Sequence, residues 1–449
     1  MDVPIKIMRT LIHVPKGQAK TRLLLLAVAF ALGGLPARAQ RYLTDVDSSL
    51  FVRDTVRPLV RRLENIRFSG YIQPQYQVAS AKGAGSFEGG NFAPFSNNRF
   101  MLRRARIKVD YLLPSLRPRF PRASFTFQVD ATERGVIARD VFLRLYPATG
   151  NNVTFTMGLF ARPFGYEVNL SSAYRESPER SRASQVLMPG ERDLGAMISF
   201  EGKGRDSSRA AAKLDIGAFN GQGPSGTTDF DSYKDVAARL SLRPLFLSRQ
   251  VSVAAGLSAL YGGWRQGSIY VYKMSAGSNA AFGVDSSLSN LGKKAPRRYA
   301  GADVQFVRRA GRGKTELRGE YWRGMQPGTD QTTVSPGSLP TGPTYLRHFD
   351  AGIFYLLQSI GGDKWEALLK YDWYDPNTKV SGNSLRAAGG LTAADMRFTT
   401  IGIGLTRYFT ASLKILAYYD VVRNESTALP GLSTDARDDV LTLRMQLRF

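Results

Sequence analysis

VLTLRMQLRF, residues 440–449, alternates without a fault. Leu441, Leu443, Met445, Leu447 and Phe449 fall on one face, and Thr442, Arg444, Gln446 and Arg448 on the other. Successive side chains of a strand point to opposite faces, so this segment predicts a strand with one uniformly apolar face and one charged face. DKWEALLKYDW (363–373) repeats the pattern: Trp365, Ala367, Leu369, Tyr371 and Trp373 oppose Glu366, Lys370 and Asp372, and only Leu368 is out of step. In SLKILAYYDV (412–421), Leu413, Ile415, Ala417, Tyr419 and Val421 oppose Lys414, Tyr418 and Asp420. A soluble sandwich also alternates, so the connections must decide. Sixteen such segments run from 68–79 to 438–449. Short turns such as PATGN (147–151), AGRG (310–313) and FTA (409–411) alternate with long loops such as 263–295, 325–345, 375–395 and 423–437. Short turns on one rim and long loops on the other predict an all-β fold, a 16-stranded antiparallel transmembrane β-barrel with both termini on the periplasmic side. SIYVYKM (268–274) also reads as a strand, but a seventeenth would break the parity, so it is assigned to a loop hairpin.

The N-terminus fits export. Lys16, Lys20 and Arg22 precede the apolar run Leu23 to Leu32, followed by the small-residue site Ala37-Arg38-Ala39. That is the plan of a cleaved signal peptide over residues 1–39, with an apolar core too short to span a bilayer. The formal charge then falls from +24 to +19, because six basic residues and Asp2 leave with it. The expected organisation is a signal peptide (1–39), a periplasmic segment with a short helix (40–66, Leu50, Val56, Leu59, Val60 and Leu63 being at helical spacing) and a barrel (67–449). Mean hydropathy is −0.22, as expected where alternate residues face water. There is no cysteine, so no disulfide holds the fold. The positive balance implies an anionic partner: a solute, lipopolysaccharide or nucleic acid.

Residues for catalysis are scarce. His13 falls in the signal, which leaves His348 as the sole histidine of the mature chain. A His-rich metal centre and a cysteine nucleophile are both ruled out, and no cofactor or enzymatic activity is expected. His348 and Asp350 are read as ordinary lumenal wall residues. GRGKT (311–315) lacks the first glycine of a phosphate-binding loop, since Arg308 stands there, and is read as a hairpin turn.

The basic charge concentrates in NRFMLRRARIKVDY (98–111). Ala105, Ile107, Val109 and Tyr111 form its apolar face, so Arg104, Arg106, Lys108 and Asp110 point into the lumen. The opposite register would place arginine against lipid at a cost of about 2–4 kcal/mol near the midplane. Thr126, Gln128 and Asp130 join them from the next segment, and Asp140 and Arg144 from the one after. Arg103 has the wrong parity, so it reaches the pore only through a bulge or from the rim.

RRARIKVDY (103–111), Gln128-Val129-Asp130, RDVFLRLY (139–146), GLFARPFGYE (158–167), SSAYRESPERS (171–181), PGERDLGAMISF (189–200) and GAFNGQG (217–223), with Phe449 at the end, resemble in order the phosphate-selective porins O and P of Gram-negative outer membranes. The resemblance implies an outer-membrane homotrimer passing small anions such as phosphate through a constriction formed by basic strand residues and an infolded third loop. That loop is 162–190. Its Arg162, Arg175, Arg180 and Arg182, with Arg103, Arg104, Arg106, Lys108 and Arg144, are the implied anion-binding or pore-lining residues, and Asp130 or Asp140 the acid near the anion. The loop glutamates Glu167, Glu176 and Glu179 offer these arginines salt bridges instead. Two other readings remain open: a general or differently selective diffusion porin on the same barrel, and a non-transport barrel, either an adhesin or an outer-membrane hydrolase. Lipid and lipopolysaccharide are expected partners, and nucleic acid is not.

Overall fold

A computed structural model describes residues 64–114, 122–147, 152–202, 212–224, 226, 228–275, 281–311 and 313–449. The expected signal peptide and the lead-in helix up to residue 63 lie outside these. Eighteen strands follow in order: β1 Ile66–Ala79, β2 Asn98–Leu113, β3 Ala123–Thr132, β4 Gly135–Leu145, β5 Val153–Ala161, β6 Arg192–Glu201, β7 Ala212–Phe219, β8 Asp235–Phe246, β9 Val251–Arg265, β10 Val271–Met274, β11 Phe282–Asp285, β12 Lys294–Ala310, β13 Gly313–Gly328, β14 Thr344–Ile360, β15 Trp365–Asp375, β16 Phe398–Tyr408, β17 Leu413–Asn424 and β18 Val440–Arg448. Strands β10 and β11 make a loop hairpin, as expected for 268–274, whose β10 adds in parallel to the start of β14, Val271 opposite Thr344; in the wall itself β9 pairs directly with β12, Arg265 opposite Lys294. The other sixteen form an antiparallel sheet that closes when β18 pairs with β1, Tyr71 opposite Arg448 and Ala79 opposite Val440. Closure leaves no open sheet edge, which is what a sheet surrounded by hydrocarbon requires.

The two faces differ in chemistry as the alternation predicts. On β18, Leu441, Leu443 and Met445 are 37%, 44% and 51% exposed on the outside, whereas Thr442, Arg444 and Gln446 are buried inside. Phe125, Phe127, Leu143, Met157, Ile198 and Phe200 continue the outer apolar band.

Strand β14 departs from this pattern, and the reason is the third long loop. Phe349, Ala351, Ile353, Tyr355 and Leu357 all face inward and are buried, while Phe354 and Leu356 face outward. Beside them, Trp322 on β13, Leu368 on β15, and Leu416 and Tyr418 on β17 complete an apolar patch on the lumenal wall. Phe164, Val168, Ala183, Val186, Leu187 and Met188 of loop 162–191 pack onto that patch. Each large side chain so buried contributes about 1.5–3 kcal/mol, so the loop is held by its own core within the barrel. Leu368, out of step in the sequence, is part of this floor. His348 and Asp350 do not face the lumen, contrary to the parity reading: their neighbours Arg347, Phe349 and Ala351 do, and Asp350 accepts a hydrogen bond from the outward Trp373. Where both faces of a strand are apolar, polarity no longer reports parity.

Ile107, 51% exposed near the middle of β2, belongs to the outer apolar band. Ile107→Arg is expected to destabilise the barrel by about 2–4 kcal/mol, measured by denaturant-driven unfolding from lipid vesicles; an unchanged midpoint would mean that this face is not in hydrocarbon.

Candidate functional site

Two β-bulges and one folded loop bring the site together. In the β1–β2 ladder Gln73 pairs with Arg104 and Pro74 with Leu102, so Arg103 has no partner. Pro74 has no N–H to give to the ladder, and this is a place where a sheet tolerates an extra residue. The bulge lets Arg103 and Arg104 both turn inward. The β3–β4 ladder repeats the device: Gln128 pairs with Asp140 and Val129 with Ala138, leaving Arg139 over. Arg139 and Asp140 therefore both reach the lumen.

Loop 162–191 crosses the lumen and is pinned on several strands. Glu167 accepts hydrogen bonds from Ser181 N, Ser181 Oγ (2.7 Å) and Tyr355 OH (2.6 Å). Ser181 in turn caps a short helix, α1 Arg182–Leu187, by accepting from Ser184 N. Tyr166 N and Glu167 N donate to Glu320 on β13 at 2.7 and 2.9 Å, and Glu176 pairs with Arg318 at 2.8 Å. On the other side Gln73 donates to Ser172 O at 3.0 Å, and Tyr71 and Ser172 share a 2.6 Å hydrogen bond.

Between the loop and β2–β4 a cavity of about 240 Å³ remains, lined by Arg103, Arg104, Arg106, Arg139, Arg180, Asp130, Glu179 and Glu191 among others. Two loop carboxylates organise it. Glu179 accepts from Arg103 Nε and Nη2 (2.9 and 3.0 Å), Arg104 Nη1 and Nη2 (3.0 and 2.5 Å) and Arg444 Nη2 (2.9 Å). Burial alone would push its carboxyl up, but Arg103, Arg104, Arg444 and Arg175 hold it well below the usual carboxylate range. Glu191 takes Arg139 at 2.6 Å, Arg192 at 2.5 Å and, closer still, Arg180; these guanidinium groups likewise outweigh burial and lower its carboxyl. Glu191 has φ +64, the only positive φ of a non-glycine among the described residues. Such a conformation costs about 1–3 kcal/mol and persists where the surroundings over-determine it, as three guanidinium partners do here. Arg106 pairs with Asp130 at 2.8 Å. Five arginines against three carboxylates leave the lining with a positive excess.

The structure thus brings Arg103, Arg104, Arg106, Asp130 and Arg180 together and puts the other expected residues elsewhere. Lys108 points inward nearer the short-turn rim, 2.8 Å from Asp110, and Arg144 donates to Thr156 at 3.0 Å. Asp140 is outside the lining, matched by Arg192 at 3.0 Å. Arg162 is fully buried at the base of the loop, and Arg175 is turned onto the carbonyls of Ser177 and Pro178. Arg182 is clasped between the rings of Phe87 (4.4 Å) and Phe398 (3.4 Å), also away from the cavity. Loop folding explains these departures, since an arginine on an infolded loop can face the loop's own core. Arg139, Glu191 and Arg444 were not among the residues expected at the site. Pro74, at the ladder step where Arg103 is passed over, was a readable sign of the first bulge; nothing comparable marks the second.

No protein-family model matches the chain, and no curated protein matches it in sequence. Solved structures match it in fold. OprB of Pseudomonas putida is 10% identical with a TM-score of 0.57, over 89% of this chain and 97% of that one. The outer membrane channel DcaP of Acinetobacter baumannii is 10% identical (TM-score 0.49, 86% and 97% covered), and OmpF of Salmonella typhi in complex with daunomycin is 11% identical (TM-score 0.47, 86% and 97%). The fold is that of a sixteen-stranded porin-type barrel, and at this identity the likeness extends to the fold alone.

Phe164, fully buried against Trp322 with ring centroids 5.1 Å apart, anchors the loop. Phe164→Ala is expected to remove about 3–5 kcal/mol of docking energy, raising single-channel conductance and current noise while the barrel's unfolding free energy stays within about 1 kcal/mol of the parent value; an unchanged conductance would show that the loop does not set the bore.

Proposed function

We propose that this chain is an outer-membrane diffusion channel for small inorganic anions, phosphate among them, exported by its first 39 residues and assembled as a homotrimer. The observation that carries the reading is the ring of five guanidinium groups around a gap of about 240 Å³, the space left between loop and wall. Guanidinium stays charged at any working pH and presents N–H groups in a fork that matches the oxygens of phosphate. Arg180 spends its donors on Glu191 and on the carbonyls of Glu167, Val168 and Leu170, but Glu179, Glu191 and Asp130 use only part of those of Arg103, Arg104, Arg106 and Arg139, so an oxyanion in the gap finds N–H groups to replace its hydration while cations meet a positive field. The solute moves down its own gradient, and throughput requires that it be held weakly at several places. Lys108 and Arg144 provide further basic positions toward the short-turn rim, which gives an anion a next step after the gap.

In planar bilayers with a potassium chloride gradient, the reversal potential is expected to have the sign of an anion-preferring channel, and a cation-preferring sign would overturn the proposal. Phosphate is expected to reduce chloride current at millimolar concentration; if it does not, the channel is anionic without phosphate preference. Replacing both Arg104 and Arg106 with alanine is expected to lower the anion-to-cation permeability ratio about tenfold, since one unit charge about 4 Å from an ion is worth about 1 kcal/mol even in water. Arg144→Ala, outside the lining at a later step, should lower the ratio less than the double replacement does, by about twofold.

A further inference from the structure

Glu179 is the most heavily coordinated carboxylate of the site. Five N–H groups from Arg103, Arg104 and Arg444 converge on its two oxygens, and Arg175 approaches to 3.7 Å. Arg444 also holds the preceding peptide, donating to Pro178 O at 2.7 Å. A loop anchor needs no such set. The loop already has its apolar core and the Glu167–Tyr355 and Glu176–Arg318 contacts on the far wall, none of which involves Glu179. What the set does match is a small oxyanion, whose oxygens would each take two or three charged donors.

We infer that Glu179 is a tethered counter-ion: its carboxylate occupies part of the guanidinium cluster that a permeating oxyanion uses, so each anion must take donors from it and is bound weakly. The inference rests on the anion-channel reading above. It explains why a strongly basic gap need not trap its solute. An anion entering between Arg103, Arg104, Arg106 and Arg139 shares donors with Glu179 and is repelled by it at close range, and on leaving it is replaced by a carboxylate that never left the site. The balance between affinity and release is thereby set by one side chain.

The test is phosphate block of chloride current in planar bilayers, comparing the parent with Glu179→Gln. Removing the charge while keeping the shape should lower the half-blocking phosphate concentration about tenfold, and lengthen the blocked intervals in proportion, because donors are freed and a repelling unit charge is lost. Glu179→Ala should tighten block in the same direction. Glu176→Gln, which weakens only the Arg318 anchor, should leave the half-blocking concentration within about twofold. Unchanged or weaker block in both Glu179 variants, with barrel assembly confirmed by heat-modifiable gel mobility, would overturn the inference and assign Glu179 to loop anchoring. Should the parent itself show no anion preference, the fault lies with the channel reading, and that outcome is visible before any Glu179 variant is made.

Discussion

A closed sheet gives each wall residue only two destinations, hydrocarbon or lumen, and every other feature of this molecule follows from that constraint. Backbone pairing around the full circle leaves no free edge, so the choice falls entirely on side chains. Arginine is expensive on the lipid side, and one residue of slippage would send Arg104 and Arg106 there from β2, or Arg444 from β18. The register of β1, β2 and β18 is therefore fixed by the same charges that give the lumen its sign.

Bulges let the chain escape strict alternation where the site needs it. Arg103 next to Arg104 and Arg139 next to Asp140 place consecutive charged side chains on one face of β2 and of β4. Glycine plays a comparable part at Gly165, φ +67, where an added Cβ would lie 2.7 Å from the Trp322 ring; the loop can descend onto its floor there only without a side chain.

The barrel was legible because alternation is a property of consecutive residues. The terminal segment 440–449 and the strand at 98–111 each declared both of their faces, and the hairpin at 268–274 was separable from the wall by parity. Loop placement depends on residues far apart in sequence, and there the reading was partial. Strand β14, apolar on both faces, and Leu368 were signs that something apolar covers the lumenal wall, yet the same two-sided apolarity led His348 and Asp350 to be assigned to the wrong face. The acid expected beside the anion was Asp130 or Asp140 on the strands; Asp130 lines the gap, while Asp140 is matched by Arg192 and the loop supplies Glu179 and Glu191 to the lining in addition. Arg162, Arg175 and Arg182 show the general limit: composition says that a loop is basic, but only its packing says which arginines face the gap.

The proposed channel depends on solute entering the positive gap between loop 162–191 and β2–β4. Thr132 lines that gap without belonging to the charged cluster, and the chain has no cysteine of its own. In Thr132→Cys, current recorded through single channels should be blocked by an anionic methanethiosulfonate reagent about ten times faster than by a cationic one of similar size. Faster reaction with the cationic reagent, or no reaction with either, would contradict the account.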